Sequence, residues 1–291
     1  MRTNTGQILY IPKIGQRANL QHPLMKGCVG WWPLNDGAGT KAKDISGNGN
    51  DGTQSGGVSW VSTEKGTVAS FDGTDDRINV SGITTDFDSS DFSVSMWVNL
   101  HRSSNYQYFW SRTGDSEFDY LFWISNDGFL RYFSATSLTT QADWTLASYN
   151  VVSSLVDQWS HFTVCVSGNK LLSSSISVYK NGSLLTPYSQ NDSSGGTLRT
   201  GSGDFSIAGR ASGSRYIDAD IQNVRVYDRA LSSTEILELY TNPWAGLSIP
   251  SETRYFFVPQ LITASPKLFN IKGSSISMTS NTGRVSVRAA R

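Results

Sequence analysis

The stretch GWWPLNDGAGTKAKDISGNGNDGT, Gly30 to Thr53, ends a hydrophobic run with two tryptophans and continues as a long polar loop. Its second half is almost entirely Gly, Asn, Asp, Ser and Thr, which are residues of turns rather than of helices or long strands. Because such a loop has no regular backbone pairing, its side chains or a bound metal must satisfy its backbone hydrogen bonds. The stretch therefore indicates a strand that leads into an irregular, oxygen-rich connection.

Short alternating runs continue along the chain to about residue 226. In Phe92–Asn99 and in Phe162–Ser167 every second residue is hydrophobic, which is the period of a strand. Trp97 breaks the alternation of the first run, so we expect this strand to be covered on both faces. Farther along, the pair Asn181-Gly182 predicts a two-residue hairpin turn, because both turn positions need positive φ.

One late segment has the pattern of a helix. Ser232 and Glu235 have the spacing of a capping box, and Asn242-Pro243 ends the pattern. Many strands with a single short helix predict an all-β protein, a two-sheet antiparallel jelly-roll sandwich. We place this domain at residues 27–242, between an extended N-terminal arm, 1–26, and a C-terminal arm with short strands, 243–291.

The composition excludes several classes of partner. The 24 Lys and Arg balance the 24 Asp and Glu, so a basic surface for nucleic acid is not expected. No window approaches the roughly 20 apolar residues that span a bilayer, so no membrane association is expected. The N-terminus lacks a secretory signal, and Cys28 and Cys165 are expected to be buried free thiols. These features predict a protein made in a reducing cytoplasm, unless a signal peptide has been removed.

Six segments follow one another in a recognisable order: Gly30–Thr53, Val68–Val80, Phe92–Asn99, Gln158–Asn169, Ile176–Leu185 and Ser206–Tyr240. Their order and spacing resemble the laminin-G-like, concanavalin A-like lectin/glucanase superfamily, in its bacterial and phage form. The resemblance covers roughly residues 27–242 and implies two antiparallel sheets packed face to face. The fold hosts many functions, so it does not by itself name one.

The polar loop and a second group of oxygen-bearing side chains after residue 71 are candidate metal ligands. Ca²⁺ takes about six to eight oxygen ligands on a backbone that can turn sharply. Members of the resembled family often hold a structural calcium between such a loop and a late strand. The resemblance thus implies Asp44, Asn48, Asp72 and Asp220 as ligands. The alternative is that these side chains are turn formers that cap their own backbone.

Enzymatic activity is not expected. In this fold, laminarinase-type enzymes carry the two carboxylates of a retaining glycosidase as E-x-D-x-x-E along one strand. Glu117 and Asp119 begin this pattern, but Phe122 stands where the second glutamate is required. We therefore expect Glu117 and Asp119 to lie on a solvated turn, and His161 to be a packing residue.

Aromatic side chains are the candidates for ligand binding. Tyr106, Tyr108 and Trp110 begin the densest aromatic stretch, and their spacing of two predicts a shared strand face, which favours the inner core over a glycan platform. Lectin sites place aromatic rings against sugar C–H groups and add a few polar hydrogen bonds. Trp144 and Tyr188 are the candidate carbohydrate-binding residues among the remaining aromatics.

These observations favour a non-catalytic binding or display module. The resemblance, with a tail that begins Asn242-Pro243-Trp244, implies a bacteriophage virion surface protein: a capsid decoration protein, head fibre or tail appendage. Such a protein is made in the host cytoplasm, docks on the major capsid protein or another virion protein through both arms, and forms a homo-oligomer such as a trimer. Glycans are further expected partners. The alternatives are a secreted or cell-surface bacterial lectin, which is extracellular, and a glucanase-like glycoside hydrolase.

Overall fold

In the computed structural model of this chain, the described residues are 12, 15–83, 87, 91–103, 106–112, 120–135, 144–150, 155–169, 172–192, 203–210, 215–248, 270–271, 274–278 and 285–289. The chain divides into two units, Met1 to Leu247 and Ser248 to Arg291. Within the described residues, no helix has the length and hydropathy to cross a bilayer.

The described part of the first unit contains seventeen strands and one α-helix, α1, at Ser233–Thr241. The strands are β1 Cys28–Trp32, β2 Lys41–Ala42, β3 Gly52–Ser55, β4 Ser59–Thr63, β5 Gly66–Asp72, β6 Arg77–Val80, β7 Phe92–Leu100, β8 Gln107–Arg112, β9 Tyr120–Ile124, β10 Leu130–Ala135, β11 Trp144–Tyr149, β12 Trp159–Val166, β13 Ile176–Lys180, β14 Ser183–Leu184, β15 Ser189–Asn191, β16 Phe205–Ile207 and β17 Asp218–Tyr227.

These strands form two antiparallel sheets, one of eight strands and one of nine. The eight-stranded sheet has the order β14-β13-β12-β7-β17-β5-β4, and β1 also pairs with β17. The nine-stranded sheet has the order β15-β11-β10-β9-β8-β16-β6-β3-β2. Both orders bring strands that are distant in sequence side by side, as in a jelly roll. The predicted two-sheet sandwich is therefore confirmed.

The main core is the apolar layer between the two sheets. Phe92, Val94 and Met96 of β7 all lie in it, as the alternation predicts. The nine-stranded sheet contributes large rings, among them Trp110 and Phe122, which are both 0% exposed. Each fully buried side chain of this size contributes about 1.5–3 kcal/mol relative to exposure, so the sandwich depends mainly on this layer.

A second core lies between the eight-stranded sheet and α1. The Ser232 hydroxyl accepts a hydrogen bond from the N–H of Glu235, and the Glu235 carboxylate accepts one from the N–H of Ser232, which confirms the predicted capping box. The ring of Tyr240 stacks on Trp97 with 5.7 Å between ring centroids. Strand β7 is therefore covered on both faces, as predicted.

Two other local predictions are confirmed. Asn181 and Gly182 have φ angles of 51° and 77°, and they connect β13 to β14 as a two-residue hairpin turn. Cys28 and Cys165 are buried free thiols, and both belong to the second core.

Parts of both predicted arms pack within the first unit. Ala18 forms an antiparallel bridge with Leu247, and Leu24 and Met25 are buried in the second core. Trp244 lies in the same core and is 6% exposed. These side chains are apolar, so packing them against the sandwich removes their surface from water. The domain boundaries stay predictions, but the first unit extends to the end of this packed segment.

Residues 242–247, which we call the strap, are held by buried polar groups of β17. The carbonyl oxygen of Pro243 accepts a hydrogen bond from Nη2 of Arg225 at 2.7 Å and another from the side-chain amide of Asn223. Arg225 is 1% exposed, and its guanidinium carbon lies 3.7 Å from the centroid of the Trp31 ring. The strap is thus fastened to the sheet by its backbone as well as by apolar packing.

The described strands of the second unit form a small antiparallel meander. They are β18 Asn270–Ile271, β19 Ser274–Met278 and β20 Val285–Ala289, paired in that order. Three strands of this length bury little surface, so the meander needs further contacts to be stable.

Candidate functional site

The nine-stranded sheet has an outer face, which we define as the face turned away from the main core. Side chains alternate along β9 and β10, so that Phe122 and Tyr132 lie in the core while Trp123 and Phe133 lie on the outer face. A separate hydrophobic cluster therefore covers part of this face. It consists of Tyr108, Leu121, Trp123 and Phe133, with the partly buried Tyr106.

A bulge in β8 overturns one prediction about these aromatics. The spacing of Tyr106, Tyr108 and Trp110 predicts a shared face, but the pairing of β8 with β9 shifts its register between Tyr108 and Trp110. The extra residue, Phe109, lies in the main core together with Trp110, while Tyr108 belongs to the outer cluster. The prediction is wrong because a bulge reverses the alternation of side chains after it.

The outer cluster is closed to solvent. Tyr108 and Trp123 stack with 5.9 Å between ring centroids, and Phe133 meets Trp123 nearly edge-on. The exposed fractions of these three rings lie between 5% and 8%. The cluster therefore contributes packing to the sheet, and its faces are not open for stacking with a ligand.

Tyr188 presents an open aromatic ring at the β15 edge of this sheet. The residue is 70% exposed, and its ring centroid lies 5.0 Å from that of Phe129. Its backbone N–H donates to the carbonyl oxygen of Ser148 at 2.7 Å, which fixes its position beside β11. Trp144, the other predicted binding residue, begins β11 and pairs with Ala135, and its side chain lies outside the described residues.

Charged groups adjoin this aromatic pair. The guanidinium carbon of Arg131 lies 5.7 Å from the Phe129 centroid, and Arg131 pairs with the carboxylate of Asp127. Partial burial tends to raise the pKa of Asp127, but hydrogen bonds from Ser125 and Arg131 outweigh it and lower that pKa. The site therefore combines the exposed Tyr188 ring with the ionised carboxylate of Asp127 and the Arg131 guanidinium that is paired with it. Sequence analysis named Tyr188 but not Phe129, Asp127 or Arg131. These three are close in sequence, and the β10–β11 and β11–β15 pairings bring Tyr188 to them.

The four predicted metal ligands do not come together. Asp44 accepts hydrogen bonds from three backbone N–H groups of β1 and its own loop, among them that of Trp31 at 3.0 Å. The Asn48 side-chain amide donates to the carbonyl oxygen of Cys28 at 3.0 Å. These two side chains organise the polar loop, as the turn-former alternative describes.

Asp72 belongs to a different group, with Asp75 and Asp76. The ligand atoms of these three carboxylates lie within 4.8 Å of one another, and neither Asp44 nor Asp220 is part of the group. Asp76 is buried and accepts hydrogen bonds from the N–H groups of Asp72 and Gly57. Burial, and to a smaller extent its acidic neighbours, raises the pKa of Asp76. An oxygen-only group of this kind fits a hard cation such as Ca²⁺, which would relieve the repulsion among the carboxylates.

Asp220 is engaged by a histidine. Nδ1 of His101 lies 2.9 Å from a carboxylate oxygen of Asp218, and Nε2 lies 3.3 Å from one of Asp220. Partial burial tends to lower the pKa of His101, but the two carboxylates outweigh it and raise that pKa. The imidazole therefore bridges Asp218 and Asp220 on the strand where the resemblance implied a metal.

The broken glycosidase pattern has a structural explanation. Phe122 lies in the main core, with 5.1 Å between its ring centroid and that of Phe109, so its position faces the core rather than a cleft. Glu117 and Asp119 lie outside the described residues. His161 is buried against Trp97, and burial lowers its pKa to about 3, which agrees with its predicted packing role.

Two antiparallel sheets packed face to face, with strands distant in sequence paired side by side, define an all-β domain of the jelly-roll class. The chain belongs to the concanavalin A-like lectin/glucanase superfamily, whose laminin-G-type family model matches residues 72–237. The superfamily resemblance is thereby confirmed, while the finer resemblance to phage virion proteins stays a prediction. Comparison with the curated proteins found no match.

Several solved domains share this fold. Domain 4 of AbnA, a GH43 extracellular arabinanase from Geobacillus stearothermophilus solved with arabinotriose, is 16% identical with a TM-score of 0.50, covering 73% of this chain and 98% of that chain. The binding domain of Paraclostridial Mosquitocidal Protein 1 is 15% identical with a TM-score of 0.57, and the match covers 90% of this chain and 73% of that domain. The receptor-binding domain of botulinum neurotoxin mosaic serotype C/D is 14% identical with a TM-score of 0.56, and the match covers 91% of this chain and 62% of that domain. The chain thus spans less than two thirds of that neurotoxin domain, and at these identities the similarity shows the fold alone.

Proposed function

We propose that this protein is a non-catalytic, lectin-like module that binds a saccharide at the Tyr188 edge of the nine-stranded sheet. The observation that carries the proposal is the Tyr188 ring, which is 70% exposed and backed by Phe129. An aromatic ring held open to water favours contact with the C–H face of a sugar, and Asp127 and Arg131 stand beside it as hydrogen-bonding groups. These are the two components of a lectin site.

Two further observations support this proposal. At the position where a retaining glycosidase of this fold needs its second carboxylate, this chain has Phe122, and that ring lies in the main core. The arabinanase domain with the same fold was solved in complex with arabinotriose, so this sandwich is compatible with saccharide binding in at least one relative.

The test is a glycan array followed by titration of the best neutral saccharide with three variants. Tyr188→Ala removes the exposed ring, and we expect it to weaken binding by about tenfold. Tyr188→Phe keeps the ring and should retain most of the affinity. Leu184→Ala removes another exposed apolar side chain, 59% exposed on the other sheet, and serves as the control. An array without any retained saccharide, or equal affinities for Tyr188→Ala and wild type, would contradict the proposal.

We further propose that the module is displayed on a phage virion as a homo-oligomer. The second unit supports this placement, because its described strands are too short to be stable without further contacts, and strand pairing with a virion protein or a second copy would supply them. The packed part of the N-terminal arm is buried in the second core. Docking would therefore involve residues 248–291 and the part of the N-terminal arm that precedes the packed part.

Light scattering on the full chain and on a variant that ends at Leu247 tests this placement. We expect the full chain to be an oligomer and the shortened chain to be a monomer with an unchanged melting temperature. A monomeric full chain would favour the alternative, an extracellular lectin.

We also propose a structural Ca²⁺ held by Asp72, Asp75 and Asp76. Its positive charge would offset the repulsion among three carboxylates whose oxygens lie within 4.8 Å of one another. Its role would be to fix the connection between β5 and β6.

A further inference from the structure

A second site on the outer face is built from arginines and tyrosines. Nη1 of Arg77 donates a hydrogen bond to the Tyr216 hydroxyl at 3.2 Å. The guanidinium carbon of Arg215 lies 4.3 Å from the ring centroid of Tyr106. Both tyrosines are half-buried and Arg215 is exposed. We call these four residues the arginine–tyrosine site.

The strand order places this site away from Tyr188. Tyr106 directly precedes β8 and Arg77 begins β6, and these two strands flank β16 in the middle of the nine-stranded sheet. Tyr188 directly precedes β15 at the sheet edge, four strands beyond β8. At about 4.8 Å per strand, the two sites are about 20 Å apart across the sheet. They can therefore contact different units of one saccharide chain.

Among the described residues, Arg77 and Arg215 differ from other arginines in having no carboxylate partner. Arg102, Arg131 and Arg229 each pair with an aspartate or glutamate. In the described part of the chain, no carboxylate lies within 4.0 Å of Arg77 or Arg215. The exposed guanidinium of Arg215, which lies over the Tyr106 ring, therefore has donors available for a carboxylate or a sulfate.

The positive charge extends over neighbouring side chains. Burial raises the pKa of the Tyr108 hydroxyl, and the positive charges of Arg210 and Arg215 partly offset this rise. Both arginines are therefore close enough to Tyr108 on the outer face for their charges to affect it.

The backbone at Arg215 has an uncommon conformation. Its φ is 64°, in the left-handed region that non-glycine residues rarely adopt. Such conformations cost free energy and cluster at ligand-binding sites, where they aim a side chain. Here the conformation accompanies a guanidinium that lies over Tyr106 at the surface.

We infer that the arginine–tyrosine site gives the module a preference for anionic saccharides, which carry carboxylate or sulfate groups. The inference rests on the proposed saccharide-binding function and names its ligand class. The exposed guanidinium of Arg215 donates paired hydrogen bonds to the anionic group. The Arg77 side chain, held by the Tyr216 hydroxyl, adds positive charge beside it. Because the attraction is between charges at the surface, binding weakens as salt rises.

The experiment measures the affinity of the full chain for three soluble polysaccharides: polygalacturonate with carboxylates, dextran sulfate with sulfate esters, and neutral dextran. Arg215→Gln removes the exposed cation, and we expect it to weaken binding of the preferred anionic polymer by about five- to tenfold. Arg17→Gln removes the same charge from an exposed arginine in the N-terminal segment and is the matched control. Since both residues are exposed, both variants should fold.

The outcomes separate the inference from the proposed function. Binding of either anionic polymer, weakened by Arg215→Gln and unchanged by Arg17→Gln, supports the inference, and the preferred polymer identifies carboxylate or sulfate as the anion. Equal losses in the two variants would mean nonspecific charge attraction and would overturn it. Binding of neutral saccharides that depends on Tyr188, without any anionic preference, would also overturn the inference but leave the proposed function intact. If the wild-type chain bound no saccharide at all, both the inference and the proposed function would be overturned.

Discussion

The Glu235 carboxylate joins the start of α1 to Arg229, two residues beyond the end of β17, so its charge should contribute to how stability changes in acid. Its Oε1 accepts a hydrogen bond from Nη2 of Arg229 at 2.6 Å, and its Oε2 accepts one from the N–H of Ser232 at 2.9 Å. Glu235→Gln keeps a side-chain oxygen for the capping box but removes the charge that pairs with Arg229. The substitution therefore isolates the ionic part of this contact.

The hydrogen bonds from Arg229, aided by those from Ser232, lower the pKa of Glu235 from 4.5 to about 2. A shift of this size corresponds to an upper limit of about 3 kcal/mol. The side chain is 25% exposed, so solvent screening reduces the expected contribution to about 1–2 kcal/mol. Because the pKa is lower in the folded state, the stabilisation is complete above about pH 4.5 and is lost as the pH falls toward 2.

Urea denaturation at pH 7, 5 and 3 measures this contribution. Glu235→Gln should lower the free energy of unfolding by about 1–2 kcal/mol at pH 7, and its difference from wild type should shrink at pH 3. Glu64→Gln, which removes a charge from an exposed glutamate in the turn between β4 and β5, is the control and should change little. A destabilisation that is equal at pH 7 and pH 3, or equal to that of the control, would refute the reasoning.

The fold supports three further predictions. Phe122→Ala leaves a cavity in the main core and should cost about 3–5 kcal/mol in urea denaturation, and a cost below about 1 kcal/mol would place the ring outside the core. Gly182→Ala forces a φ of 77° on a residue with a Cβ, which would lie 3.0 Å from Leu237, and should lower the unfolding free energy by about 1 kcal/mol; no loss would argue against the hairpin turn. Millimolar calcium should raise the melting temperature of wild type but not of Asp75→Asn, and identical melting in calcium and in chelator would exclude the proposed metal site.

Local chemistry made the helix cap and the hairpin predictable. Every atom of the Ser232–Glu235 capping box and of the Asn181-Gly182 turn lies within a few residues of chain, so sequence spacing alone specifies the contact. The inner faces of β7 and β12 were predictable for the same reason, since alternation is a local pattern. The bulge at Phe109 was not, because it is a property of the pairing between β8 and β9.

The candidate site was predictable only in part. Exposure of Tyr188 agrees with the sequence prediction, but the pairing of its ring with Phe129 depends on the β10–β11 and β11–β15 contacts. The metal candidates likewise stay a prediction: Asp44 accepts hydrogen bonds from β1 and its own loop, while the carboxylate of Asp72 lies beside those of Asp75 and Asp76. Side chains that meet only through strand register leave no signal in a single sequence.

The strap has a consequence for how this protein can change over evolution. Because the carbonyl oxygen of Pro243 is held by Arg225 and Asn223, and Leu247 bridges to Ala18, the chain leaves the sandwich from a fixed point. Insertions, deletions or replacement of the segment after Leu247 therefore need not disturb either core. We therefore expect the strap to serve as a fusion junction at which a lineage can exchange the C-terminal segment while keeping the sandwich itself.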